Sequence, residues 1–321
     1  MSGTVAGFPG AGQLGKLGFG AAGIGNLYRA MPDAQATATV NAAWDSGVRY
    51  FDTAPHYGLG LSERRLGAVL REKPRDEFTV STKVGRLLVP HPAGADATDD
   101  EGFDVPATSK RQWDFSESGI RRSIEESLER LGLDHVDIAY LHDPDVHDLA
   151  KGIREALPAL EKLRAEGVVN AIGVGTNSAE AALECVEAAD LDLVMLAGRY
   201  TLLEQPEVPL LDRCVSRRTG VVNVGVFNSG LLARPEVPED AHYNYARAPR
   251  ALVERARALA GVCRDFGVEL PTAALQFSLR HPAVVNVTAG ASSPEQIADN
   301  AARMKEPVPE ELWAALAGVP G

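Results

Sequence analysis

No stretch of the 321-residue sequence approaches the roughly 18 consecutive apolar residues that a membrane-spanning helix requires. The opening MSGTVAGFPGAGQLGKLGFG has no charged segment followed by an apolar one, so no export signal is expected and the predicted location is cytoplasmic. Cysteine is scarce: Cys185, Cys214 and Cys263 are odd in number, widely spaced and each within a helical pattern. That usage argues against a disulfide framework and fits a reducing compartment. Long basic blocks are missing too. With 32 Lys and Arg against 44 Asp and Glu, the formal net charge is −12. A field of that sign repels polyanions, so nucleic acid and anionic membranes are poor partners. No low-complexity tract or fixed-period sequence repeat marks a domain boundary.

What the sequence does contain is alternation. Short Val/Ile/Leu runs predict strands at 16–19, 48–51, 78–82, 136–141, 171–174, 193–196, 221–226 and 285–288. Helical patterns lie between and after them at 34–46, 62–71, 116–131, 153–166, 179–189, 209–217, 249–266, 271–279 and 294–305. One of these, DFSESGIRRSIEESLERLGLD, carries its own punctuation: Ser116 as N-cap, Ile120, Ile124 and Leu128 on one face, and Gly132 as the stop. Length alone permits one large barrel or two smaller domains. Eight strand–helix units in about 300 residues predict an α/β chain folded as a (β/α)8 TIM barrel. Residues 1–321 then form a single domain, with a core at about 16–305 and a C-terminal helix at 309–317.

Two stretches stand apart from the repetition. GFGAAG at 18–23 matches the dinucleotide pattern G-x-G-x-x-G, but that motif needs a helix opening within it, and here Pro32 precedes the first helical pattern. A Rossmann site is therefore rejected; the glycines instead suit a close backbone approach at the barrel mouth. The segment 86–114, rich in Pro, Gly, Asp and Ser and containing Trp113, is expected to be a long irregular loop after the third strand, lying over the C-terminal mouth.

In a parallel barrel the informative positions are the C-terminal strand ends. They deliver Asp52 and Tyr57 after the second strand, Lys83 after the third and His142 after the fourth. Singly, each has an ordinary explanation as a loop anchor, a half-buried aromatic, a surface lysine or a turn residue. Together they suit proton transfer at an oxygen whose carbon gains or loses hydride. A nearby cation such as Lys83 would favour the phenolate of Tyr57, Asp52 would keep Lys83 charged and aimed, and His142 would donate to the reacting oxygen.

YFDTAPHYGLGLSERRLG, STKVGR, AYLHDPD, IGVGTNS and GASSPEQIADN, five ordered motifs, resemble the aldo-keto reductases from about residue 16 to 300. The resemblance implies a barrel enzyme with a nicotinamide cofactor, a small-molecule substrate and Asp52, Tyr57, Lys83 and His142 as the catalytic set. It places the cofactor along Gly20, Ala21, Ala22 and Asp52. Thr176 and Asn177 would take the carboxamide and Phe227 would stack on the nicotinamide. Asn228, Ser229, Gly230 and Leu231 would run along the pyrophosphate, with Gly290, Ser292, Gln296 and Asn300 at the adenosine end.

Two departures from the family pattern involve three positions. Ala197 replaces a carboxamide-binding Gln, and Gly290 and Gln296 stand where NADP-specific members place Lys and Arg. Without those cations NAD is expected as the cofactor, with NADP accepted to a lesser degree.

AGRYTLLEQ, GVFNSGLLA and HYNYARAP further resemble the branch that oxidises sugars such as L-fucose, D-arabinose or L-galactose at C1, together with pyridoxal 4-dehydrogenase. Tyr28, His56, Trp113, Tyr243 and Tyr245 are the expected substrate wall. No metal is expected, because His91, His135, His142 and His147 lack the spacing of a zinc site. An NADPH-dependent aldehyde or ketone reductase and a non-catalytic nucleotide-binding regulatory subunit remain as alternatives, and the sequence leaves the oligomeric state open.

Overall fold

A computed structural model describes residues 7–8, 11–94, 96–205, 209–239, 242–243 and 246–320. Eight parallel strands close into a barrel: β1 (Leu17–Gly20), β2 (Tyr50–Asp52), β3 (Thr79–Val84), β4 (Ile138–His142), β5 (Ala171–Thr176), β6 (Leu193–Ala197), β7 (Gly220–Val224) and β8 (Val284–Gly290). Neighbours pair in chain order, and β1 closes the ring against both β2 and β8. Helices between successive strands form the outer layer, and Glu310–Ala317 is the C-terminal helix. No described helix is long and apolar enough to cross a membrane.

The period-2 geometry of a strand sorts its side chains into two cores. Phe51, Val80, Val84, Ala139 and Leu141 point outward into the layer shared with the helices. Their neighbours Tyr50, Ile138 and Tyr140, with Leu193, Met195 and Val222, fill the barrel interior. Two of these interior residues are large, so room must be found. A Cβ on Gly173 would lie 2.8 Å from the Tyr140 ring, and one on Gly18 2.7 Å from the Tyr50 ring. The inward series on three adjacent strands ends in a polar residue at the C-terminal rim: Tyr50 then Asp52, Ser81 then Lys83, Tyr140 then His142.

The segment 86–114 is not irregular throughout. Arg86–Pro90 and Ser109–Trp113 form a five-pair antiparallel ladder. The strand SKRQW is polar, RLLVP ends in proline, and the two are separated by 18 intervening residues, so neither carried an alternating apolar signal. The ladder's connecting segment covers the mouth. Leu27 bridges Phe103, and the Tyr28 N–H donates to the Gly102 carbonyl at 2.9 Å. The predicted helix at 153–166 begins with a π-helical turn, Gly152–Ala156. After GFGAAG comes only a short 3₁₀ turn, Gly23–Gly25, and the first helix starts at Asp33, as the rejection of a Rossmann site required.

Candidate active site

Asp52 and Lys83 meet at the barrel rim. Lys83 Nζ donates to Asp52 Oδ2 at 2.6 Å and to the Thr53 carbonyl at 3.0 Å, and both residues are almost fully buried. Asp52 Oδ1 accepts from Ser81 Oγ at 2.7 Å, and Ser81 in turn contacts the Tyr50 hydroxyl at 2.9 Å. The carboxylate is thus fixed from below by the interior tyrosines and from the side by the ammonium. Lys83 Nζ also lies 4.7 Å from the centre of the Tyr57 ring, and the His142 ring stands perpendicular to it at 6.0 Å. The four groups therefore share one contact shell.

Tyr57 owes its position to a close backbone crossing. Gly58 has φ +61°, and a Cβ there would fall 2.1 Å from the Gly25 carbonyl oxygen. Only glycine fits that conformation and that gap. Gly58→Ala is expected to cost more than about 1 kcal/mol of stability and to reduce turnover by displacing Tyr57. Urea unfolding and steady-state kinetics on the same preparation check this; unchanged values in both would refute it.

The electrostatics depart from the sequence expectation at one point. Burial raises the Tyr57 pKa, and Lys83, which works the other way, does not offset it; Asp52 adds to the rise. Without ligand the phenol is therefore held protonated rather than as phenolate. Burial also opposes the charge on Lys83, but Asp52 and Tyr57 outweigh it and the ammonium persists above its usual range. Asp52 is raised by burial despite Lys83. His142 is pushed well down by burial and by the cations Arg86 and Lys83, so its ring is neutral and offers one N–H donor.

Beside these groups lies a cleft of about 380 Å³ lined by Gly20, Ala22, Tyr28, Asp52, Tyr57, Ala197, Phe227, Ser229, Gly230 and Gly290, among others. A second, smaller space of about 150 Å³ shares Tyr57 and Ala197 with it and touches His56, Lys83, His142, Asp143, Thr176 and Asn177. A larger cavity of about 630 Å³ sits by Lys16, Arg49 and Lys305, touches none of the four groups and holds none of this chemistry. The mouth cleft suits a dinucleotide. Its small residues leave backbone accessible, Phe227 presents an aromatic ring, and the next residue, Asn228, has a buried Oδ1 without a hydrogen-bond partner among the described residues.

Not every expected residue lines these spaces. Ala21 is fully buried, and its carbonyl accepts from Ser62 Oγ. Leu231 belongs to the apolar core beneath the loop after β7. Thr176 has its hydroxyl proton committed to Asp145 Oδ1 at 2.6 Å, leaving it as an acceptor only. At the far end Gln296 Oε1 accepts from the Ser292 N–H, while Asn300 is buried one turn further along the same helix, Pro294–Arg303. Trp113 stacks on His147 and carries Arg86 over its face, and the Tyr243 hydroxyl donates to Glu204; neither lines the cleft. Tyr245 lies outside the described residues.

Sequence reading missed four neighbours of the site. Phe103 packs 6.0 Å from the Tyr57 ring and 5.3 Å from His56. Arg111 donates to the His56 carbonyl at 2.9 Å, and Arg86 pairs with Asp143 at 2.5 Å. Arg86, Phe103 and Arg111 belong to 86–114; Arg86 closes the motif STKVGR without a role of its own, and no motif covers Phe103 or Arg111. Asp143 is the residue after His142 in AYLHDPD, and nothing in that motif sets it apart. Among the described residues no cluster of His, Cys, Asp and Glu could hold a metal ion.

Residues 16–319 match the Aldo/keto reductase family. The chain is 54% identical to a D-threo-aldose 1-dehydrogenase of a Pseudomonas species, over 94% of this chain and 92% of that protein. It is 39% identical to pyridoxal 4-dehydrogenase of Microbacterium luteolum with the same two coverages. Among solved structures it resembles a glycerol dehydrogenase from Gluconobacter oxydans, with a TM-score of 0.78 and 25% identity over 99% of this chain and 95% of that one. An aldo-keto reductase from Bacillus halodurans in its holo form gives 0.75 and 26%, over 95% and 91%.

Proposed function

Because this chain belongs to the aldo/keto reductase family, whose members use nicotinamide cofactors, we propose that it oxidises an aldose at C1 to a lactone with NAD as hydride acceptor. The observation that carries the reading is the placement of Lys83 Nζ between the Asp52 carboxylate, at 2.6 Å, and the Tyr57 ring, at 4.7 Å, beside the mouth cleft. The name of the 54% identical relative supports the aldose substrate class.

A nicotinamide dinucleotide, when bound along the cleft, supplies the acceptor for the C1 hydride. The chain's own residues handle the proton and the oxygen. Once Tyr57 has lost its own proton to solvent, the C1 hydroxyl gives its proton to the phenolate as the C1–H bond breaks with its electron pair, and C1 passes from hemiacetal to ester oxidation level. Lys83 stabilises negative charge on the Tyr57 oxygen, Asp52 keeps Lys83 charged and aimed, and the neutral His142 ring donates to the reacting oxygen. Ala197 leaves space where a carboxamide-binding side chain stands in other members, so Asn177 at the rim takes more of that contact.

Gly290 and Gln296 offer no cation to a 2′-phosphate, and that favours NAD. Arg29, whose guanidinium lies 3.4 Å from Ser292 Oγ, keeps NADP acceptable. The test mixes the pure protein with NAD or NADP and L-fucose, D-arabinose, L-galactose or pyridoxal, and follows the reduced cofactor by absorbance. Aldose oxidation with NAD is expected. Catalytic efficiency with NADP more than about a hundredfold higher, a gap of about 2.7 kcal/mol, would reverse the cofactor assignment. Turnover of pyridoxal alone, or rapid aldehyde reduction with no aldose oxidation, would reverse the substrate assignment.

A further inference from the structure

The residue after His142 does something a turn residue need not do. Asp143 has φ 42° and ψ 58°, a left-handed conformation for a non-glycine residue directly before a proline. Such a backbone persists only where its surroundings hold it, and it is enriched at ligand sites. Here the Asp143 N–H donates to the Gly175 carbonyl at 2.7 Å, while Arg86 Nη2 grips Oδ2 at 2.5 Å. Arg86 is itself buried, laid over Trp113 and 3.4 Å from His56 Nδ1. The result is a carboxylate at the wall of the same small space that Tyr57, Lys83 and His142 line.

Arg86 occupies one oxygen only. Among the described residues Oδ1 accepts no hydrogen bond, and Oδ2 stands 3.4 Å from His142 Nε2, the ring that faces the reacting oxygen. An apolar aldehyde gains nothing from a partly desolvated carboxylate beside its carbonyl and loses the hydration of that charge. A polyol gains charge-assisted hydrogen bonds, and vicinal sugar oxygens are spaced so that one can lie at His142 while the next lies at Asp143.

We propose that Asp143, clamped by Arg86, is the specificity-determining residue for polyhydroxylated substrates, accepting hydrogen bonds from the sugar hydroxyl adjacent to C1. The inference rests on the aldose reading above and adds to it the group that tells a sugar from a simple aldehyde. Neither Asp143 nor Arg86 had been assigned a role. His56, neutral because burial and the cations Arg86 and Arg111 push its pKa down to about 2, completes the polar wall as a second hydrogen-bonding group.

Two variants test it against an aldose and its 2-deoxy analogue. Asp143→Asn keeps shape and tolerance of the left-handed backbone. Asp143→Gly removes the side chain and relieves the backbone strain, and Glu101, 3.9 Å from Arg86 Nη1, keeps that cation partnered in both variants. In both, kcat/KM for the full aldose is expected to fall about 10- to 100-fold, and that for the already slow 2-deoxy sugar less than threefold. NADH binding, read by fluorescence, is expected to stay at the wild-type value. Equal losses for the two sugars, or no loss for either, in an enzyme whose wild type oxidises aldoses would overturn the assignment of Asp143 alone. A wild type that oxidises no aldose would overturn it together with the reading it rests on.

Discussion

Tyr57→Phe is expected to lower sugar oxidation by about 10²–10⁴-fold while cofactor affinity stays near that of the wild type. The substitution retains everything the ring does in the structure. Phe103 at 6.0 Å and His142 at 6.0 Å address the ring, and the Lys83 ammonium, 4.7 Å from the ring centre, keeps Asp52 as its partner when its hydrogen bond to the hydroxyl is lost. Only the proton carrier is removed. In the wild type burial holds the phenol pKa above its ordinary value, so the base form needed for oxidation grows as pH rises. The oxidation rate should therefore increase toward alkaline pH, and Tyr57→Phe should lose that dependence together with the activity. Steady-state kinetics across pH, paired with NADH titration, decide the matter. A variant within threefold of wild type would remove Tyr57 from the proposed mechanism.

Lys83→Met is the second large effect, and it acts on stability as well as turnover. Removing one member of a buried ion pair leaves the other uncompensated, which costs about 3–5 kcal/mol. Asp52 is the group left behind: among the described residues its carboxylate accepts from Ser81 and Lys83, and its pKa is raised by burial even with the ammonium present. Without Lys83 the folded-state value moves further above the unfolded one. A carboxyl with a raised folded pKa contributes stability that is complete below its unfolded pKa and disappears as pH climbs through the folded pKa. The deficit of Lys83→Met relative to wild type should thus be large at pH 8 and smaller at pH 5. Urea unfolding at both values reads it, and a deficit independent of pH would mean that Asp52 is not the stranded charge. Activity should fall as well, because Lys83 no longer stabilises charge on the Tyr57 oxygen.

The strands of the barrel were legible because local pattern and tertiary role coincide there. Inward and outward positions alternate with period 2, and the inward series of β2, β3 and β4 each end in a charged or titratable residue just where the barrel opens. The hairpin over the mouth was illegible for the converse reason. SKRQW is half-exposed and polar, and its pairing with RLLVP depends on closing a long loop, not on an apolar stripe. Trp113 read as a substrate aromatic because it is an aromatic in a loop; the fold spends it instead on carrying Arg86. Asp143 carries no role in the sequence reading because its left-handed backbone and its salt bridge have no sequence signature.

The string of residues by itself determined the βα order, the two-sided burial of the strands and which strand ends carry Asp52, Tyr57, Lys83 and His142, because all of these follow from local periodicity and chain connectivity. Only the tertiary structure decided that Tyr57 is held protonated, that Thr176 is committed to Asp145 and that Arg86 aims Asp143 into the site. Those outcomes depend on burial and on distances between groups far apart in the chain. Desolvation and Coulomb energies are set by such distances, and the linear sequence does not encode them one residue at a time.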